Sequence, residues 1–128
     1  MKPFVFLIAY LLLVPNINGQ VAEDSELYKQ LKSVDSLLFE EGFNHCNLEI
    51  LKSMMHPDLQ FLHDQNGMQD LDAFFQGFEE SICSNPDFKP IRKLVKGSLQ
   101  VYPLKNEGKL YGAIQTGIHE FFIAEPGK

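Results

Sequence analysis

The chain contains no tryptophan and few cysteines: two, Cys46 and Cys83, among 128 residues. Their separation excludes the Cys-x-x-Cys spacing of redox and zinc motifs. Basic residues are also scarce, since 11 lysines and arginines face 17 acidic residues and leave a formal net charge of −6. A chain with this charge has no electrostatic reason to bind nucleic acid or an anionic membrane surface. Nucleophile motifs, glycine-rich phosphate loops and metal-binding histidine pairs on a helix are missing as well.

The first nineteen residues have the pattern of a cleavable secretory signal. Lys2 provides a positive start, and residues 4–14 form an unbroken apolar run. A helix of that length spans about 16 Å, whereas the hydrocarbon core of a bilayer is about 30 Å thick. A charged start, a short apolar core and a small residue before the cut are typical of secretory signals. We therefore predict cleavage after Gly19, which makes Gln20 the new N-terminus; the alternative is an uncleaved membrane anchor.

Removal of the signal leaves residues 20–128, which is enough chain for one domain. Lys2 is the only charge lost, so the formal net charge becomes −7. No second long apolar segment follows, and the mature chain is therefore expected to leave the membrane and to be secreted or periplasmic. In such a compartment Cys46 and Cys83 can form a disulfide between two helix ends, or they can remain two buried thiols.

Apolar residues at helical spacing predict three helices. The first covers residues 24–44, after a loose arm at the start of the mature chain. Asn47 can cap a short second helix, which stops at His56 because the next residue is a proline. Asp70 can cap a third helix with a phenylalanine-rich face, and this helix ends before Ser84. We assign its aromatic stripe to packing in the core rather than to a binding site.

The rest of the mature chain has the pattern of strands and turns. Strands are predicted over 59–64, 91–96, 99–104 and 110–123, and Asn66-Gly67 is a strong turn signal. Helices followed by a run of strands indicate an α+β fold, with helices packed on one face of an antiparallel sheet.

Five segments carry a resemblance to a known family. They are 43–48 (FNHCNL), 61–67 (FLHDQNG), 82–83 (IC), 97–104 (GSLQVYPL) and 112–119 (GAIQTGIH). In this order they resemble the nuclear transport factor 2-like (SnoaL-like) superfamily, which also includes ketosteroid isomerase and polyketide cyclases. More narrowly, the chain looks like the domain-of-unknown-function 4440 branch.

The resemblance implies a cone-shaped, cystatin-like fold in which N-terminal helices pack on a curved antiparallel sheet. It divides the chain into a signal peptide (1–19), an arm with the start of the first helix (20–32) and the domain itself (33–128). Family members usually continue with two more strands, often carrying tryptophan. This chain stops at Lys128, so we expect either a partial sequence or a sheet edge left uncovered.

Strand alternation selects the candidate site residues. His63 shares a face of the predicted strand 59–64 with Leu59 and Phe61. Tyr111, Gln115 and His119 share a face of the last strand if the bulge expected at Gly117 does not intervene. Polar groups among apolar ones on a concave sheet are what a small-molecule pocket requires. We therefore select His63, Asp64 and His119 as candidate catalytic residues, and Gln115, Tyr111 and Tyr102 as candidate ligand-binding residues.

Each candidate also has a simpler structural interpretation. Neutral histidine can exchange a proton near neutral pH, but histidines at strand ends are often structural hydrogen-bonding groups. By resemblance, Asp64 matches the proton-shuttling aspartate of ketosteroid isomerases; it can equally organise the turn that follows it. Phe39 stands where those enzymes have a tyrosine donor, which weakens the isomerase hypothesis. His63, Asp64 and His119 are suitable metal ligands by type, but their spacing does not demand a metal, and no cofactor is expected.

Three functions therefore stay open. The preferred one is an exported domain that binds a small, largely apolar molecule. The first alternative is an acid–base lyase or isomerase that uses His63, Asp64 and His119. The second is a non-catalytic module that forms a homodimer through its sheet.

Overall fold

The computed structural model describes residues 19–123. Apart from Gly19, the signal peptide expected from the sequence lies outside these residues. The described chain has α+β architecture, as predicted from the order of its helical and strand patterns. Its helices are α1 (Glu26–Ser36), which continues as a π-helical segment (Leu37–Asn44), α2 (Leu48–Met54), α3 (Leu71–Gly77), which continues as a second π-helical segment (Phe78–Cys83), and a short 3₁₀ turn (Pro86–Phe88).

Side chains at the predicted positions cap the second and third helices. The Asn47 side chain accepts a hydrogen bond from the backbone N–H of Ile50, and Asp70 accepts one from the backbone N–H of Ala73. Both bonds satisfy donors that the first helical turn leaves without partners. The strands are β1 (Phe61–His63), β2 (Gly67–Gln69), β3 (Pro90–Leu94), β4 (Gln100–Asn106), β5 (Lys109–Thr116) and β6 (His119–Ile123).

The last four strands form one interrupted antiparallel ribbon. β3 pairs with β6, and β4 pairs with β5. The backbone N–H of Val95 donates to the carbonyl of Ile118 (2.8 Å), so the two halves stay connected at the interruption. The long strand predicted over 110–123 breaks at Gly117, where a Cβ would lie 3.0 Å from the Leu94 side chain. Glycine permits this close approach.

Two local predictions differ from the structure. Strand 59–64 shortens to β1, and β2 opposite it was not predicted, because a three-residue strand with Met68 67% exposed carries no alternating pattern. The arm expected to be loose lies against β4, since the backbone N–H of Val21 donates to the Val101 carbonyl (2.9 Å).

The core consists of two apolar clusters. The first surrounds Tyr28 and Val101, and Val21 of the arm packs against it. Burial raises the pKa of the Tyr28 hydroxyl above its usual value, and the Glu23 carboxylate adds to the rise. The second cluster surrounds Leu51 with aromatic rings of α3 and its π-helical continuation. In the described part of the chain no helix combines the length and apolar character needed to cross a membrane.

A buried ion pair joins α1 to β3. The Arg92 guanidinium donates two hydrogen bonds to the Asp35 carboxylate, at 2.7 and 3.0 Å. Arg92 is 3% exposed and Asp35 is 6% exposed. A bidentate bond of this kind fixes both distance and orientation between the two elements.

The end of the first helix is joined to the same strand by an amide. The Asn44 side chain accepts from the backbone N–H of Arg92 (2.8 Å) and donates to the Arg92 carbonyl (2.9 Å). Lys89 donates to the backbone carbonyl of Asn44. The amide therefore pairs with β3 as a neighbouring strand would.

A disulfide links Cys46, just after the first helical segment ends, to Cys83, the last residue of the third. Of the two alternatives for these cysteines, the bridge is the one present. It holds together two helix ends that are separated by 37 residues in sequence.

Replacing both cysteines, Cys46→Ala with Cys83→Ala, is expected to lower the free energy of unfolding by about 4 kcal/mol, because the unfolded chain gains loop entropy. Urea unfolding measures the loss. Wild-type protein in a reducing agent should approach the double variant, which itself should not respond to the reducing agent. Equal urea midpoints for the wild type and the double variant would contradict the expectation.

Asp35→Ala is expected to lower the free energy of unfolding by about 3–5 kcal/mol, because Arg92 then stays buried without its counter-charge. Asp58→Ala is the matched control: the same change at a side chain that is 92% exposed should cost less than about 0.5 kcal/mol. Replacing both partners, Asp35→Leu with Arg92→Met, should cost less than Asp35→Ala alone. A cost for Asp35→Ala no larger than that of the control would show that the ion pair stabilises nothing.

Candidate functional site

A cavity of about 330 Å³ lies between the β1–β2 hairpin, the third helix and β6. This volume falls at the lower end of small-molecule sites, which occupy about 300–1,000 Å³. The cavity is lined by Phe43, Phe61, His63, Asn66, Gln69, Phe74, Gly77, Phe78, Ser81, Ile82, Pro90 and Phe121.

Phenylalanine rings form most of the cavity wall, and they pack on one another. The ring centroids of Phe61 and Phe74 lie 5.0 Å apart, those of Phe78 and Phe43 lie 5.4 Å apart, and those of Phe43 and Phe121 lie 6.1 Å apart. Separations of this size, with tilted or edge-on planes, are the favoured geometry of aromatic pairs. Each ring is thus held by its neighbour, and the wall offers flat apolar surface to whatever enters.

The polar lining side chains come from two of the bordering elements. His63, Asn66 and Gln69 come from the β1–β2 hairpin, and Ser81 comes from the third helix. No lysine, arginine, aspartate or glutamate is among the lining residues of the described chain. The cavity therefore combines an apolar wall with a few uncharged hydrogen-bonding groups.

Small residues on the third helix leave the space open. Phe74, Gly77 and Ser81 follow one another at three- and four-residue steps, so they share a face of the helix. A Cβ built on Gly77 would meet no atom within 4 Å. The sequence interpretation assigned this aromatic stripe to packing, and Phe75 does pack in the core. The small residues between the phenylalanines are the signal that could have predicted a cavity.

Two π-helical segments border the cavity. Phe43 lies in the first, and Phe78, Ser81 and Ile82 lie in the second. A π-helical turn is wider than an α-helical one, and such turns are frequent at functional sites. The disulfide joins the chain just beyond the first segment to the last residue of the second, and so holds two parts of the cavity wall together.

His63 lies at the cavity, and Asp64 beside it lies in solvent. The His63 side chain is 33% exposed, whereas that of Asp64 is 85% exposed. Nδ1 of His63 accepts hydrogen bonds from the backbone N–H groups of Gln65 (3.1 Å) and Asn66 (3.3 Å). The Asp64 carboxylate is 3.1 Å from the same nitrogen. Nδ1 of the imidazole thus organises the turn, and Nε2 lies on the edge of the ring that the turn does not use.

His119 is exposed, bonds to the buried ion pair from outside, and is not among the cavity-lining residues. Its Nδ1 accepts a hydrogen bond from Nε of Arg92 (3.0 Å). The Phe39 ring lies 3.8 Å below the Arg92 guanidinium carbon, a cation–π contact, and 6.1 Å from the His119 ring. The His119 imidazole lies 5.6 Å from the ring of Phe121, which does line the cavity.

The three candidate ligand-binding residues lie away from the cavity. Gln115 donates to the Asp35 carboxylate (3.1 Å) and so completes the buried network. Tyr111 is 69% exposed and borders a shallow surface notch with Lys105 and Asn106. The hydroxyl of Tyr102 donates to the Gln100 side chain (2.8 Å) on the same strand.

The ladder register explains the positions of the tyrosines. Val101, which is buried, pairs with Gln115, so odd-numbered residues of β4 and β5 face the helices as far as the register shift after Leu104. Tyr102 is even-numbered and faces the other way. Tyr111 has no partner in the ladder, because the register shifts there: Leu104 pairs with Gly112 and Lys105 with Leu110. The alternation that starts at Gln115 therefore does not reach Tyr111, which is exposed. Among residues 19–123, no three metal-ligating side chains are grouped so that they could hold an ion.

Comparison with family models, curated proteins and solved structures found no match to the chain.

Proposed function

We propose that the protein is an exported domain of the nuclear transport factor 2-like type that binds a small, largely apolar molecule in the cavity between the β1–β2 hairpin, the third helix and β6. The observation that carries the proposal is a cavity of about 330 Å³ that is lined mainly by phenylalanine rings and by a few uncharged polar groups. The helices and small antiparallel sheets are compatible with an α+β fold, and the cone-shaped, cystatin-like arrangement is part of the proposal. The disulfide is compatible with export.

Apolar character of the wall sets the kind of ligand. Burying apolar ligand surface against the phenylalanine rings contributes about 25 cal/mol per Å² removed from water. A charged ligand would lose its hydration without meeting an opposite charge, because the lining residues are uncharged apart from the titratable His63. The cavity is therefore suited to neutral, flat, apolar molecules.

Acid–base catalysis by His63, Asp64 and His119 has less geometric support. Arg92 occupies Nδ1 of His119, and His119 is not among the residues that line the cavity. The Asp64 carboxylate lies in solvent on the turn. A shared reaction would require the three groups to converge on one bound molecule.

Exposed apolar side chains on the last two strands support a second candidate function, homodimerisation. Within the described chain β6 pairs with β3 only. An edge strand with apolar side chains offers unpaired backbone groups and apolar surface to a second copy. The large apolar side chains that are at least half exposed here are Leu110, Tyr111, Ile114, Ile118, Phe121, Phe122 and Ile123.

Gly77→Leu tests the cavity directly. The new side chain enters the open space beside Gly77, so affinity for the hydrocarbon probe α-methylstyrene should fall by about tenfold or more. Stability should not fall, because glycine inside a helix is unfavourable by about 0.5–1 kcal/mol relative to alanine. Amide chemical shifts in a probe titration measure affinity, and urea unfolding measures stability.

Gly77→Ala is the matched control for this variant, since it adds helix propensity with little volume. It should bind the probe nearly as well as the wild type. Unchanged affinity in Gly77→Leu, or no binding of the probe to the wild type, would contradict the proposed function.

Ile114→Lys tests the homodimer. If β5 and β6 form the interface, sedimentation velocity should show the wild type associating as its concentration rises, while the variant stays monomeric. Val34→Lys is the control, because Val34 is 46% exposed and belongs to α1 rather than to these strands. A wild type that is monomeric at every concentration would contradict the second candidate.

A further inference from the structure

The β1–β2 turn determines which nitrogen of His63 carries a hydrogen. Two backbone N–H groups, those of Gln65 and Asn66, point at Nδ1 from 3.1 and 3.3 Å. A backbone N–H can only donate, so Nδ1 must present its lone pair. In a neutral imidazole one nitrogen donates and the other accepts. The hydrogen of neutral His63 is therefore on Nε2, the nitrogen that the turn leaves free.

The Asp64 carboxylate does not reverse this assignment. It lies 3.1 Å from Nδ1 and would favour a hydrogen there, but its side chain is 85% exposed and well solvated. Interactions of exposed carboxylates are weakened by water. The two backbone N–H groups are fixed by the turn, and both require a lone pair on Nδ1. They therefore outweigh the solvated carboxylate.

The charges of the protein determine which kind of hydrogen-bond acceptor a ligand can present to Nε2–H. The uncharged lining residues offer no lysine or arginine to a carboxylate or a phosphate. The mature chain predicted from the sequence carries a formal net charge of −7, which repels anions further. A neutral oxygen avoids both penalties and still accepts a hydrogen bond.

We propose that the ligand is a neutral apolar molecule that carries a carbonyl-type oxygen, and that His63 binds this oxygen by donating from Nε2. The inference rests on the proposed function, since it concerns the same cavity. It assigns His63 the role of a hydrogen-bond donor in its neutral form rather than that of a base. The flat body of the ligand packs on the phenylalanine wall, and its oxygen points to the β1–β2 hairpin.

The first experiment determines the tautomer in the full chain. Long-range hydrogen–nitrogen NMR correlations, recorded at a pH where histidine is neutral, should show Nδ1 of His63 without a hydrogen and Nε2 with one. His56 is an internal comparison, because its Nδ1 accepts from the backbone N–H of Asp58 at 3.1 Å. A hydrogen on Nδ1 of His63 would overturn the assignment.

The second experiment compares three probes of similar shape. Acetophenone has a carbonyl oxygen, α-methylstyrene has a CH₂ group in its place, and benzoate has a carboxylate. We define selectivity as the affinity for acetophenone divided by that for α-methylstyrene. Selectivity of the wild type should exceed that of His63→Phe by about fivefold, which corresponds to one hydrogen bond. Benzoate should bind the wild type more weakly than acetophenone.

His56→Phe is the matched control, since it makes the same substitution at a histidine with the same kind of turn bond but outside the cavity. Its selectivity should equal that of the wild type. Equal selectivity in the wild type and His63→Phe would overturn the donor role, and tighter binding of benzoate would overturn the neutral-ligand part. Failure of α-methylstyrene and acetophenone alike to bind the wild type would instead remove the proposed function itself.

Discussion

The bond between Asp35 and Arg92 connects the two layers of the protein, and most of the polar interior is arranged around it. Burying either charge without the other would cost a large amount of free energy, so the ion pair holds α1 against β3. The Gln115 side chain donates a further hydrogen bond to the Asp35 carboxylate, and Nε of Arg92 donates to His119. β6, which forms one wall of the cavity, is paired along β3, the strand that carries Arg92.

Local signals predicted the parts of the fold that depend on neighbouring residues. Helical periodicity, the caps at Asn47 and Asp70 and the interruption at Gly117 could each be read within a few positions of sequence. The ion pair could not, because its partners are 57 residues apart. Asp35 did leave one trace, as a charged residue on the face of α1 that also carries buried Tyr28.

The candidate site was predictable only in part for a related reason. Strand alternation places Gln115 on the helix-facing side of β5, but it does not tell which element covers each residue along that side. Gln115 bonds to Asp35 of α1, whereas Tyr111 lies at the irregularity of the β4–β5 ladder and stays exposed. His63 lines the cavity together with phenylalanines from four separate elements. Such convergence is a property of packing and has no local sequence pattern.

One strand serves two surfaces at once. Phe121 lines the cavity from β6, and Phe122, the next residue, lies on the opposite face of the same strand and is half exposed. Any protein surface that docked on β6 would steady the ring of Phe121, and a molecule held by that ring would in turn steady the strand. Occupancy inside and association outside would then be thermodynamically linked, each favouring the other by the same factor. A small movement of a few residues of this strand would be enough to connect the cavity with the outer surface, without a separate regulatory element.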